Sequence, residues 1–141
     1  MADEKERIVT TLNRTLRERY GTDVIFGGSF GLYLKGIVLD RDFHDIDVRV
    51  VGIDPNIVRA EGVESEVPVH FLGYTEVPLE CEEVDVCGEK VLVYTPETII
   101  RCKKHTIAYN ETRKIKTEFT RRKSEKDRKD LEYIKEKYGL E

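Results

Sequence analysis

Apolar residues mark out the elements of the chain. From Asp3 to Tyr20, Ile8, Leu12 and Leu16 recur at four-residue spacing among charged side chains. That is the period of an amphipathic helix, and Gly21 stands where such a helix stops. Asp23-Val24-Ile25-Phe26 is a short apolar run closed by Gly27-Gly28, which predicts a buried strand and a tight turn. Ser29 follows at a position suited to an N-cap, and Leu32, Leu34 and Ile37 carry a predicted helix over 29–37. After a polar loop, residues 44–51 alternate polar and apolar with period two, the mark of a strand with one wet face. Residues 67–72 form a second strand of this kind, placed near a sheet edge or at a strand start because Pro68 has no N–H for the ladder. Residues 90–94 form a third. Thr95-Pro96-Glu97 sets a helix start with Pro96 at its first position, and Ile99, Ile100 and Ile107 carry that helix to about Ala108. The stretch from Arg113 to Tyr138 is helical in composition, with Ile115, Phe119, Leu131, Ile134 and Tyr138 as a sparse apolar stripe and Gly139 as its stop. No internal repeat or low-complexity linker interrupts this order.

The 141 residues are read as one domain, with a sheet core over 22–94 and basic C-terminal helices over 96–139. Hydrophobic residues are 39% and charged residues 37%, so the core is lean and the surface heavily charged. The even spread of apolar positions predicts a soluble folded chain. No apolar run reaches the ~20 residues of a membrane span, and the acidic, polar start has none of the pattern of a secretory signal. Cytoplasmic residence without a membrane partner is the expectation. Cys81, Cys87 and Cys102 form no C-x-x-C pair, which argues for free or buried thiols over a disulfide framework or a zinc site. The net charge of −4 conceals a polarity, because residues 1–100 hold 10 basic and 20 acidic side chains whereas 101–129 hold 12 basic and 4 acidic. The basic block suits a polyphosphate, a nucleic acid or the protein's own acidic half.

The chemistry gathers at Gly27-Gly28-Ser29 and Asp45-Ile46-Asp47, with one helix filling the interval. Alternation puts both aspartates on one face of the strand. Two neighbouring carboxylates repel unless a cation lies between them, and hard oxygen donors suit Mg²⁺ or Mn²⁺. Backbone N–H groups at the turn can cradle phosphate oxygens, with the Ser29 hydroxyl as a further donor. Taken separately, Gly-Gly-Ser is a common turn and Asp-x-Asp a common solvated strand face. Their order and spacing point to phosphoryl chemistry on a nucleotide.

Phe26-Gly27-Gly28-Ser29, a helix, and Asp45-Ile46-Asp47-Val48 on the next strand together resemble the nucleotidyltransferase superfamily of polymerase-beta-like palms and antibiotic nucleotidyltransferases. Within it the chain looks most like compact AbiEii-type toxins and related stand-alone nucleotidyltransferases. There, a later strand precedes a proline-started helix and a basic helix ending in K-D-x-x-D-L, matched here by Val93-Tyr94-Thr95-Pro96-Glu97 and Lys126-Asp127-Arg128-Lys129-Asp130-Leu131. The resemblance spans about residues 22–131. It implies an α+β fold, a mixed β-sheet with helices packed on one face and a C-terminal helical segment.

The activity it implies is transfer of a nucleoside monophosphate from a nucleoside triphosphate to a hydroxyl acceptor, with release of pyrophosphate. Asp45 and Asp47 would hold the metal, Gly27, Gly28 and Ser29 the phosphates, and Lys126, which matches a family position where Lys103 and Lys104 do not, would approach them. The family commonly carries a third carboxylate on the strand after D-x-D, and here Val69-His70-Phe71 occupies that place. Three alternatives stand: His70 serves as general base, Glu64 or Glu66 substitutes, or the module binds nucleotide or a partner protein without catalysis. His44 is read as orienting an aspartate, His105 as a surface residue, and the basic block as a solvated face whose exposed pairs add little. A weaker reading makes that block an RNA-binding surface, although Tyr109, Phe119 and Tyr133 do not interleave with it as a stacking platform would. The acceptor is open among a small molecule, an RNA end and a protein; at this length a homodimer or a protein partner is expected to complete the cleft, and the resemblance to toxins implies an antitoxin as a candidate partner.

Overall fold

The computed structural model describes residues 4–39, 46–61, 69–72, 77–112 and 117–140. Helix α1 (Glu4–Tyr20) buries Ile8, Val9, Leu12 and Leu16 along one stripe and ends at Gly21, whose N–H donates to Arg17 O at 2.8 Å and whose φ is +63°. Strand β1 (Val24–Gly27) follows and is buried at every position. Then come α2 (Gly28–Leu34), β2 (Ile46–Val50), α3 (Pro55–Glu61), β3 (Val69–Phe71), β4 (Cys81–Val86), β5 (Glu89–Tyr94), α4 (Pro96–Thr112) and α5 (Glu118–Tyr138). No helix among the described residues is long and apolar enough to cross a membrane.

The strands form one five-stranded sheet in the order β3-β2-β1-β5-β4. β1 is antiparallel to β2 and parallel to β5, β2 is parallel to β3, and β4 is antiparallel to β5, so the sheet is mixed. Alternation sends Val24, Phe26, Ile46, Val48, Val91 and Val93 to one face, where they meet the apolar stripe of α1, Val58 of α3 and Phe30. The opposite face presents Ile25, Leu92 and Tyr94 to Leu32 of α2, Ile99 and Ile100 of α4 and Ile134 of α5. The α+β class and mixed sheet agree with the expectation. The expectation of helices on one face is corrected: the C-terminal helices cover the face that carries the candidate site, and α1 with α3 covers the other, because both faces of the sheet are apolar. A fully buried Leu12 or Leu16 contributes about 1.5–3 kcal/mol.

Several local expectations are corrected. Ser29 is not the N-cap of α2: Gly27 takes that position, with no side-chain cap, and Ser29 is the second residue of the helix. α2 stops at Leu34 instead of running to Ile37. The Ile37 N–H bonds back to Leu32 O at 2.9 Å and Gly36 N–H to Tyr33 O at 3.0 Å, with Gly36 at φ +83°, so the chain reverses and Ile37 rejoins the core beside Leu32. α4 starts at Pro96 as expected, with Thr98 N–H donating to Thr95 Oγ1 at 3.2 Å, but extends to Thr112. α5 starts at Glu118 behind a Thr117–Thr120 capping box, and residues 113–116 lie outside the described residues. β3 is an edge strand, one of the two placements that Pro68 allowed, although Pro68 itself lies outside the described residues. Strand β4 and helix α3 have no counterpart in the expected elements.

Candidate active site

The two glycines at the end of β1 do different work. Gly27 is buried and extended, at φ −138°, and a Cβ there would stand 3.0 Å from Tyr94 Cδ2 and 3.6 Å from Leu72 Cδ1. Its bareness lets the Tyr94 ring close over the strand end. Gly28 has φ +61°, and a Cβ there would fall 2.2 Å from Asp47 Oδ2 and 3.0 Å from its Cγ. That overlap reserves the position for glycine twice, through backbone conformation and through the carboxylate packed against it. Gly31 supports both, because its open side brings α2 to within a would-be 3.2 Å of Phe26 O. Ser29 is half-buried at the same turn.

Asp47 reaches the turn because Gly27 is its register partner on the antiparallel strand β1. On its other side, across the parallel pair, its partner is His70. His70 Nδ1 lies 3.1 Å from Asp47 Oδ1, with the Asp47 side chain 27% exposed and that of His70 60% exposed. Beside an ionised carboxylate, Nδ1 carries the proton and donates, which in neutral imidazole leaves Nε2 as an acceptor. Asp47 therefore touches the glycine turn through one oxygen and the imidazole through the other. Asp45, His44, Glu64 and Glu66 lie outside the described residues. Among the described residues, no group of three or more His, Cys, Asp or Glu side chains is placed to hold a metal ion.

The face of β2 that carries Asp47 also carries Arg49, which the sequence reading missed. Its guanidinium lies 5.9 Å from the centroid of the Tyr94 ring. Burial pushes the Tyr94 hydroxyl pKa up, and the Arg49 charge opposes that shift. The Cys102 thiol on α4 is likewise raised by burial and drawn back by Arg49, Arg101 and Lys103. The signal for Arg49 was present, since the alternation that puts Asp45 and Asp47 on one face puts residue 49 there too.

The basic block is largely engaged with its own acids. Lys103 Nζ on α4 lies 3.3 Å from Asp127 Oδ1 and 3.2 Å from Asp130 Oδ2 on α5, and the two aspartates are 2% and 4% exposed. Lys123 adds a longer pair to Asp127 at 3.8 Å. The two acids of the Lys-Asp-x-x-Asp-Leu segment thus clasp α5 to α4. Lys126 is exposed on α5. Lys104 and His105 are exposed on α4. Arg121 and Arg122 both pair with Glu118 and hold its carboxyl below the usual range, Arg121 contributing most, and Arg128 pairs with Glu111.

No family model and no curated protein matches the chain. Among solved structures, it is similar to the crystal structure of an antigenic nucleotidyltransferase-like protein from Paracoccidioides brasiliensis. The likeness covers 94% of this chain and 75% of that one, with a TM-score of 0.57 at 18% identity. At that identity the likeness carries the fold alone.

Proposed function

On this nucleotidyltransferase-like fold, we propose that the chain transfers a nucleoside monophosphate from a nucleoside triphosphate to a hydroxyl acceptor and releases pyrophosphate. The observation that carries the proposal is the packing of Asp47 Oδ2 into the space a Cβ would fill at Gly28. A hard oxygen donor therefore lines the same turn whose backbone N–H groups face incoming phosphate. That donor chemistry fits Mg²⁺ or Mn²⁺, with Asp47 and Asp45 as the residues that would hold it. When bound, such a cation neutralises triphosphate charge and aligns the attacking and leaving oxygens.

The chain's own groups supply the rest. Gly27, Gly28 and Ser29 bind the outgoing phosphates through backbone N–H and hydroxyl donors. Asp47 Oδ1 fixes the imidazole of His70, so that Nε2 accepts the proton of the acceptor hydroxyl as its oxygen bonds to the α-phosphorus. The bond from the α-phosphorus to the bridging oxygen breaks, its electron pair leaves with pyrophosphate, and the proton passes from His70 to solvent. Lys126 remains a candidate to approach the phosphates, by resemblance only.

A second reading, favoured by His70 in the place of the family's third acid, is a module that binds nucleotide or a partner protein without transfer. Pyrophosphate release from each nucleoside triphosphate with Mg²⁺, measured on wild type and Asp47→Asn, separates the two. Metal-dependent release lost in the variant supports transfer. Metal-dependent binding without release, lost in the variant, supports the silent module. Nucleotide binding unchanged by the substitution removes Asp47 from the metal site. Light scattering of the active species tests whether a second copy or a protein partner such as an antitoxin completes the cleft.

A further inference from the structure

Arg49 is rooted one pleat below Asp47, beside Ile25, yet its guanidinium rises to the Tyr94 ring, 5.9 Å from the centroid. Ile25 pairs with Leu92 and Phe26 with Val93, so Tyr94 continues the register beside Gly27, the partner of Asp47. The would-be Cβ of Gly27, 3.0 Å from Tyr94 Cδ2, marks the same place. A fixed positive charge thus stands at the level of the glycine turn, on the sheet face that presents Asp47. Its Nε is buried, so the group is partly withdrawn from water, and the Tyr94 ring lies beneath it. The Tyr94 hydroxyl, on a residue 4% exposed, faces this guanidinium. Two polar groups with directional donors therefore meet beside the turn, in a place where the proposed reaction gathers negative charge.

We infer that Arg49, oriented by the Tyr94 ring, is a phosphate-binding residue of this site and grips the polyphosphate tail of the nucleotide from the sheet side of the Gly27-Gly28 turn. The inference rests on the nucleotidyltransferase reading. A guanidinium fork matches paired phosphate oxygens, whereas a lone ammonium provides charge without that match.

The test is titration calorimetry with Mg²⁺, using inorganic tripolyphosphate and each nucleoside triphosphate as probes, on wild type and on Arg49→Gln, Arg49→Lys, Tyr94→Phe and Asp47→Asn. Arg49→Gln is expected to weaken both probes by about tenfold or more, with Arg49→Lys recovering part of the loss. Tyr94→Phe keeps the ring under the guanidinium and is expected to weaken binding less. Melting temperatures measured alongside separate lost contact from lost fold, and if Arg49→Gln does not fold, the Arg49→Lys shift decides in its place. Tripolyphosphate bound equally well by wild type and by folded Arg49 variants overturns the assignment, as does a loss confined to the nucleotide. In either case, metal-dependent nucleotide binding abolished by Asp47→Asn leaves the nucleotidyltransferase reading standing. Absence of binding by wild type overturns both.

Discussion

His70 Nδ1 and Asp47 Oδ1 lie 3.1 Å apart across two parallel strands on which the residues are register partners. Backbone register, set by the apolar alternation of Ile46, Val48, Val69 and Phe71, fixes this pair. If the imidazole is the base, His70→Ala lowers the rate of pyrophosphate release by about 10²-fold or more, in the range of general-base catalysis. His70→Asp, which restores the family's usual acid, is expected to retain more activity than His70→Ala. Steady-state rates at saturating nucleotide check both. Equal rates in all three proteins would remove His70 from the chemistry.

Gly28→Ala meets two penalties. The left-handed backbone at φ +61° costs roughly 1–2 kcal/mol for a residue with a Cβ, and the new methyl displaces the Asp47 carboxylate. Metal-dependent nucleotide binding is expected to be lost. Gly139→Ala is the control: φ is +70° but nothing lies within 4 Å of the new atom, so the backbone penalty appears in thermal unfolding while binding is unchanged.

Lys103 is the keystone of the two long helices. Lys103→Met leaves Asp127 and Asp130 buried without their shared cation and is expected to cost about 3–5 kcal/mol in denaturant unfolding. Combining it with Asp127→Asn and Asp130→Asn should recover part of the loss. Lys126→Met, on the exposed side of α5, is expected to fall within about 0.5 kcal/mol of wild type.

The sheet was legible where burial leaves a periodic trace. The strands around Val24, Val48, Phe71 and Leu92 could be read because each alternates or runs apolar, and one proline narrowed β3 to a sheet edge or a strand start. β4 escaped because its Cys81-Glu82-Glu83-Val84-Asp85-Val86 sequence carries three acids, and its turn is Cys87-Gly88 instead of the usual Asn-Gly. Both turn residues have positive φ, 53° and 79°, and Gly88 N–H donates to Asp85 Oδ1 at 2.8 Å. At the site, the Gly28–Asp47–His70 relation follows from strand order and register that the motif spacing already implied. Arg49 stands at the next position of the alternation that carries Asp45 and Asp47, but its charge alone does not tell a site residue from a solvated strand face. Lys126 was chosen over Lys103 by motif, but the helix turns Asp127 and Asp130 inward, and only tertiary packing reveals that Lys103 meets them.

The three thiols should separate in labelling with a disulfide reagent at pH 8. Cys102 is half-buried and its pKa is raised by burial, so it reacts slowest and gains rate only as pH climbs further. Cys87 is exposed but donates its thiol hydrogen to Glu6 Oε2 at 3.3 Å, which also raises its pKa. Glu6→Gln is therefore expected to speed Cys87 at a given pH. Rates for single-cysteine variants check the order.

Glu118 gives the first turn of α5 an acid limb. Arg121 and Arg122 lower its carboxyl pKa in the folded chain below the reference 4.5. The folded state therefore binds the proton less readily, and the stabilisation is present above pH 4.5 and lost as pH falls through the lower folded value. Glu118→Gln should flatten the fall in α5 stability between about pH 5 and 3 and reduce its salt dependence. Helical circular dichroism across that range, with and without added salt, is the measurement.

The hairpin edge, which hid from the sequence reading because of its acids, has a bearing on how the molecule keeps company. A sheet has two open margins where another chain can add a strand. Here one is the three-residue β3 and the other is β4, with Glu82, Glu83 and Asp85 in six residues. Charged side chains guard the β4 margin, where Glu82 and Glu83 are each held by a lysine, Lys35 and Lys90 respectively, and this disfavours edge-to-edge pairing of copies there. Replacing Glu82, Glu83 and Asp85 with their amides removes that guard, and strand-to-strand aggregation is then expected to begin at the β4 margin, on the opposite side of the sheet from His70.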